Sequence, residues 1–278
     1  MSKRNAVSFV KNLLYVPTRF LATASIVLLA ILPVFQPNPY VVGILIDASI
    51  VAIFVASWDI LGGYAGQVSF GHALFFGIAA YASGILNTRL AFPPWMSIPI
   101  AVIVAISVGL LVGIPCLRLK GPFLALATLA FPIILSGLFA ATQLSPITGG
   151  EYGIRGINRL IPSIDRYTDR IIDYYIGLGV MLISALILFM IGNSRLGTIF
   201  RAVREDETAA EASGISTTRY KLVAFVLSGL FAGLSGCLFA HYRGVVSPAA
   251  TLSVDRSFSA IVFSVFGCLL YTSDAADE

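Results

Sequence analysis

The sequence predicts an all-α, polytopic transmembrane helix bundle, and three observations carry that prediction. Of its 278 residues, 58% are hydrophobic and only 12% are charged, where a soluble domain carries about 25% charged residues. Its apolar runs last ~17–24 residues, enough for a helix rising ~1.5 Å per residue to cross a hydrocarbon core of ~30 Å. The runs lack the residue-by-residue alternation that marks a transmembrane β-strand. A soluble enzyme, a disordered chain and a disulfide scaffold are excluded.

About eight spans follow in order, at 20–36, 40–61, 71–87, 96–116, 122–143, 174–192, 221–242 and 256–270. Lys3, Arg4, Lys11 and Arg19 precede the first span and place the N-terminus in the cytoplasm, because basic residues collect on that side. Counting crossings puts Arg118 and Lys120 inside, then Arg195, Arg201, Arg204, Arg219 and Lys221. The net charge of +4 therefore reads as orientation in a lipid bilayer, with no nucleic-acid partner. Segment 1–20 has no small-residue cleavage site of the secretory kind. Cys116, Cys237 and Cys268 sit in or beside apolar runs without metal spacing and read as packing residues.

The outer connection 144–173 balances Arg155, Arg159, Arg166 and Arg170 against Glu151, Asp165, Asp169 and Asp173. Its second half, 157–173, spaces Ile157, Leu160, Ile161, Ile164, Tyr167 and Ile171 at helical intervals, which predicts a surface helix.

Three features stand out for function. The run Gly62-Gly63-Tyr64-Ala65-Gly66-Gln67-Val68-Ser69-Phe70-Gly71-His72 concentrates glycine between two spans, and glycine destabilises a helix by ~1 kcal/mol relative to alanine. Broken backbone at membrane depth is tolerated where protein or a watery cavity surrounds it, and transporters line substrate paths that way. A solvated turn is the alternative. Asp47 lies inside the second span, where an ionisable group faces the bundle; it reads as an acceptor for a neighbouring helix, with a proton or ion site as the alternative. The third feature, 194–221, is a connection of good helix formers with Gly214 placed as a C-cap. Ile199, Phe200, Val203, Ala210 and Ile215 offer an apolar surface flanked by charge, which predicts docking of a cytoplasmic partner.

Catalytic patterns do not occur. The chain contains no Gly-Lys-[Ser/Thr] phosphate loop, no His-Glu-x-x-His and no Gly-x-Ser-x-Gly, so no enzyme activity of its own, no metal and no cofactor are expected.

In this order the features resemble the inner-membrane permeases of ATP-binding-cassette (ABC) importers for branched-chain amino acids, LivM type. The resemblance rests on Gly63-Tyr64-Ala65-Gly66-Gln67-Val68-Ser69-Phe70-Gly71-His72-Ala73, on Arg118 to Phe123 running into Ala127-Thr128-Leu129-Ala130, and on Thr148-Gly149-Gly150 to Gly153-Ile154. It continues with Ala202-Val203-Arg204-Glu205-Asp206-Glu207 through Gly214-Ile215, and with Tyr220-Lys221-Leu222 to Ser247-Pro248. It implies a bacterial inner-membrane permease moving leucine, isoleucine or valine by alternating access. ATP would be hydrolysed on cytoplasmic ATPase subunits, a second related permease would complete the pore, and a periplasmic binding protein would deliver substrate. Urea, amides or aromatic compounds are alternative substrates within the family, and an ion-coupled transporter using Asp47 is an alternative outside it.

By the same resemblance Gly66, Gln67, Ser69, Gly71, His72, Thr128, Thr148, Gly149 and Gly150 would line the path. The loop 194–221 would hold the coupling helix, with Arg201, Arg204, Glu205, Glu207, Ala209, Ala210, Glu211 and Gly214 at the ATPase contact. The importer pattern Glu-Ala-Ala-x-x-x-Gly falls on Thr208, Ala209 and Ala210, with Glu207 one residue early. Residues 1–267 read as one permease domain. The run 268–278 resembles a reading frame through a transposase sequencing adapter and is expected to be a non-native tail on a truncated gene.

Overall fold

The computed structural model describes residues 27–33, 38–116, 122–161 and 166–272. Helix α1, Pro39–Asp59, starts where Pro39 fills the first helical position and the Asn38 side chain accepts from the Tyr40 N–H, a cap and a pre-set φ acting together. It runs on as a π-turn, Ile60–Tyr64. After an extended stretch come α2, His72–Arg89, α3, Pro94–Cys116, and α4, Pro122–Ala140. Helix α5 spans Arg166–Gly192, and the short α6, Arg195–Glu205, and α7, Glu207–Ala212, form a helical hairpin. Helices α8, Thr217–Arg243, and α9, Val254–Thr272, complete the order. A two-residue antiparallel pair, β1 (Ile154–Arg155) and β2 (Val245–Val246), clips the 144–161 connection to the end of α8.

Among the described residues six helices are long and apolar enough to cross a membrane. That differs from the eight spans expected. The first span, 20–36, is described only at 27–33, and Arg118, Lys120 and the N-terminal basic residues lie outside the described residues. The third span exists as α2 but is too polar to count as a lipid-facing crossing. It is buried almost throughout, so its polar residues meet protein instead of lipid. The surface helix expected over 157–173 is absent at 157–161, and residues 162–165 lie outside the described residues. Residues 157–160 are non-helical, with the backbone N–H groups of Gly156 and Ile157 donating to the Gly244 carbonyl. Ile157 and Leu160 are buried, so their spacing reflects packing of an irregular segment. From Arg166 the chain is already the helix that crosses. Helix α9 continues unbroken past Gly267 to Thr272, and residues 273–278 lie outside the described residues.

The core lies where α2 meets α8, with α1, α3 and α5 packed around them. Small residues on α8, including Gly229, Ala232 and Gly236, let the two backbones close on Phe75 and Phe76, the usual device where lipid supplies no hydrophobic drive. One end of the bundle carries the α6–α7 hairpin (the hairpin face). The other carries the 144–161 connection (the loop face).

Candidate functional site

The break between α1 and α2 is built rather than loose. The indole N–H of Trp58 donates to the Ser69 carbonyl at 2.9 Å, and the Ala65 N–H reaches back to the Ile60 carbonyl to close the π-turn. Side chains from two other helices accept from backbone N–H groups just before and within the first turn of α2. Thr128 Oγ1 on α4 accepts from the Phe70 N–H at 3.1 Å, and Ser257 Oγ on α9 accepts from the Ala73 N–H at 3.0 Å.

His72 is fully buried beneath this junction. The Ser57 hydroxyl donates to the Phe54 carbonyl at 2.6 Å and lies 2.7 Å from His72 Nε2. With its one proton so used, Ser57 accepts from Nε2–H, which leaves Nδ1 to accept from Ser228 at 3.5 Å.

Two irregularities face each other here. Pro132 lies inside α4 and has no N–H to return to the Thr128 carbonyl. Gly71 packs against that carbonyl: a Cβ at position 71 would lie 2.7 Å from the Thr128 oxygen. Ser69, Gly71 and Thr128 also line a small cavity of about 10 Å³ with Phe75, Phe131 and Phe225, the least volume that holds one water molecule.

The other residues expected on the path lie elsewhere. Gly66, at φ +67, sits against the stem of Arg204, and Gln67 is next to it on the hairpin face. Thr148, Gly149 and Gly150 form a tight corner on the loop face, where Thr148 Oγ1 donates to the Phe139 carbonyl at 2.7 Å and accepts from the Gly150 N–H. The structure therefore brings Ser69, Gly71, His72 and Thr128 together and separates them from both other groups.

On the hairpin, Ser194 caps α6 and Asp206 caps α7, its carboxylate accepting from the Thr208 and Ala209 N–H groups. Gly214, at φ +84, ends the turn. The apolar face expected to meet a partner is turned inward: Phe200, Val203 and Ala210 are buried in the chain's own bundle. Lys221 Nζ binds Glu207 at 2.7 Å, and Thr217 donates to Glu211 at 2.6 Å. Arg204 donates to the Gly63 carbonyl at 2.7 Å while pairing with Glu205. Arg201, Glu205, Ala209, Glu211 and Gly214 remain exposed.

A profile for the permease component of branched-chain amino acid transport systems matches residues 40–273. The chain belongs to this permease family. It is 34% identical over 227 residues to the high-affinity branched-chain amino acid transport system permease protein LivM of Salmonella typhimurium, and equally to that of Escherichia coli. Each alignment covers 72% of this chain and 52% of the relative. The probable branched-chain amino acid transport permease protein LivH of Methanocaldococcus jannaschii is 26% identical over 213 residues, covering 71% and 64%. The chain spans about half the length of the two LivM proteins. No solved structure matches it.

In this permease Asp47 is ion-paired with Arg243 of α8 at 2.6 Å. It lines one end of an apolar groove of about 1020 Å³ between α1 and α9, and Asp59, bonded by Ser264, lines the other. None of the residues expected on the path lines this groove. Ser57, Pro132, Ser257 and Arg256 escaped the sequence reading, being single polar or irregular residues at the ends of or inside apolar runs. A proline or arginine within such a run was the available signal.

Proposed function

We propose that the chain is a permease subunit of an ABC importer that carries branched-chain amino acids across the bacterial inner membrane, with its N-terminus in the cytoplasm. The observation that supports this most is the clasp between hairpin and break. Arg204 of α6 holds the Gly63 carbonyl, and its stem fills the space beside Gly66. A partner that displaces α6 therefore pulls on the end of α1 and, through residues 65–71, on the start of α2.

In this reading the exposed Arg201, Glu205, Ala209 and Glu211 meet a cytoplasmic ATPase, which supplies ATP hydrolysis; the chain itself binds no cofactor and catalyses no reaction. Ser69, Gly71, His72 and Thr128 form the moving constriction. A second, related permease completes the path, and a periplasmic binding protein delivers substrate near Thr148–Gly150.

Deleting 199–214 is expected to abolish both ATPase co-purification and leucine uptake; normal assembly would sink the docking assignment. Arg204→Met keeps the stem beside Gly66 and removes the clasp. It is expected to retain the ATPase on purification while lowering uptake at least tenfold. Uptake in energised cells should follow ATP and ignore collapse of the proton gradient. The reverse result would replace this reading with ion coupling.

A further inference from the structure

Helix α9 begins inside the bundle. Thr251 and Leu252, just before it, pack on Gly77 of α2, where a Cβ would lie 2.3 Å from Leu252 Cδ2 and 3.2 Å from the Thr251 carbonyl oxygen. Gly77 is ~18 Å of helix from the α2 end at Arg89, so α9 starts near the middle of a core ~30 Å thick. Its first turn carries Arg256. The guanidinium lies 4.8 Å from the ring centroid of Phe76 and 4.9 Å from that of Phe239, and donates once to the Ala250 carbonyl at 3.1 Å.

Among the described residues Arg256 makes no ion pair. The charged groups close enough to act on it are Asp47 and Arg243, and these two are bound to each other. The cluster thus holds two guanidiniums and one carboxylate. A spare positive charge at membrane depth is costly, and such residues mark substrate or ion pathways. Packing against the adjacent Phe76 and Phe239 rings, themselves 5.4 Å apart, needs no charge, and a single carbonyl leaves most of the five-donor fork unused.

We propose that Arg256 binds the carboxylate of the transported amino acid. The fork presents two parallel donors matched to a carboxylate, and the Phe76 and Phe239 rings attract the guanidinium from one side. The assignment rests on the proposed function, since it takes the substrate to be an amino acid.

The test uses the receptor-free complex of this chain with its partner permease and ATPase subunits, in lipid nanodiscs. Thermal protection is measured with L-leucine and with L-leucinamide, which lacks the carboxylate. Leucine is expected to protect at concentrations at least tenfold below leucinamide. In Arg256→Gln that preference is expected to vanish while the subunits still co-purify, and Arg256→Lys should fall between. Equal protection by the two ligands in the unmodified complex, or an undiminished leucine preference in an assembled Arg256→Gln complex, overturns the assignment. Should Arg256→Gln not assemble, the ligand comparison on the unmodified complex and the Lys variant decide. A complex that imports no leucine in cells refutes the function itself. One that imports leucine yet shows no carboxylate preference refutes only the role of Arg256.

Discussion

Helices α2 and α4 reverse the rule learned from soluble proteins. Helix α4 is apolar apart from Thr128 and Ser136, yet Phe123 is 69% exposed, Leu126 63% and Ile134 60%. Helix α2 carries His72, Tyr81, Ser83, Asn87 and Thr88 and is buried along nearly its whole length. In lipid the interior is where polar groups find partners, because acyl chains are as apolar as leucine and offer none. The pairing is explicit at both ends of α2. His72 meets Ser57 and Ser228 at one end. At the other, His241 donates from Nδ1 to the Asn158 carbonyl at 2.7 Å and accepts at Nε2 from Ser83 at 2.8 Å.

The comparison breaks most completely if α2 loses its seat. A Cβ at Gly236 of α8 would lie 2.1 Å from the Phe76 carbonyl oxygen, and backbone inside a helix cannot give way. Gly236→Leu is expected to destabilise the protein by about 3 kcal/mol, the upper part of the overpacking range. Loss of a monodisperse peak in size-exclusion chromatography in detergent would show it. An unchanged peak and melting midpoint would mean that α2 and α8 are not in contact.

A smaller effect is expected where only polar pairing is removed. His72→Leu keeps the bulk but leaves Ser228 without its acceptor and Ser57 without its donor. About 1–3 kcal/mol of stability is expected to be lost, the range for stranding a buried polar group. Thermal unfolding in the same detergent measures it. If Ser57→Ala alone costs as much and the double variant costs no more, the pair acts as one unit.

Much of this was legible in the sequence and some was not, for physical reasons. Run length located α1, α2, α3, α4, α5, α8 and α9, because a helix must be long enough to cross. Periodicity was weaker, since it reports that a face is buried and not what buries it. The apolar stripe of α6 looked like a docking surface, but Phe200 and Val203 close against the chain's own core. Ile157 and Leu160 kept helical spacing in a segment that β1–β2 and the Gly244 carbonyl hold open. The glycines at 66 and 71 were visible from the start. Their neighbours Arg204 and Thr128 lie far along the chain, and no local pattern names them.

The sharpest form of the comparison is a substitution expected to do almost nothing. In water, truncating a buried isoleucine to alanine costs ~2–5 kcal/mol, part of it from the cavity left behind. Ile134 projects from α4 with 60% of its surface exposed, and lipid tails fill any space it leaves. Alanine also has the better helix propensity, by a few tenths of a kcal/mol. Ile134→Ala is therefore expected to stay within ~0.5 kcal/mol of the unmodified protein, measured as the unfolding midpoint of the isolated chain in lipid. A loss as large as that of His72→Leu would mean that this face of α4 is packed like α2. The contrast between the two helices would then be one of composition alone.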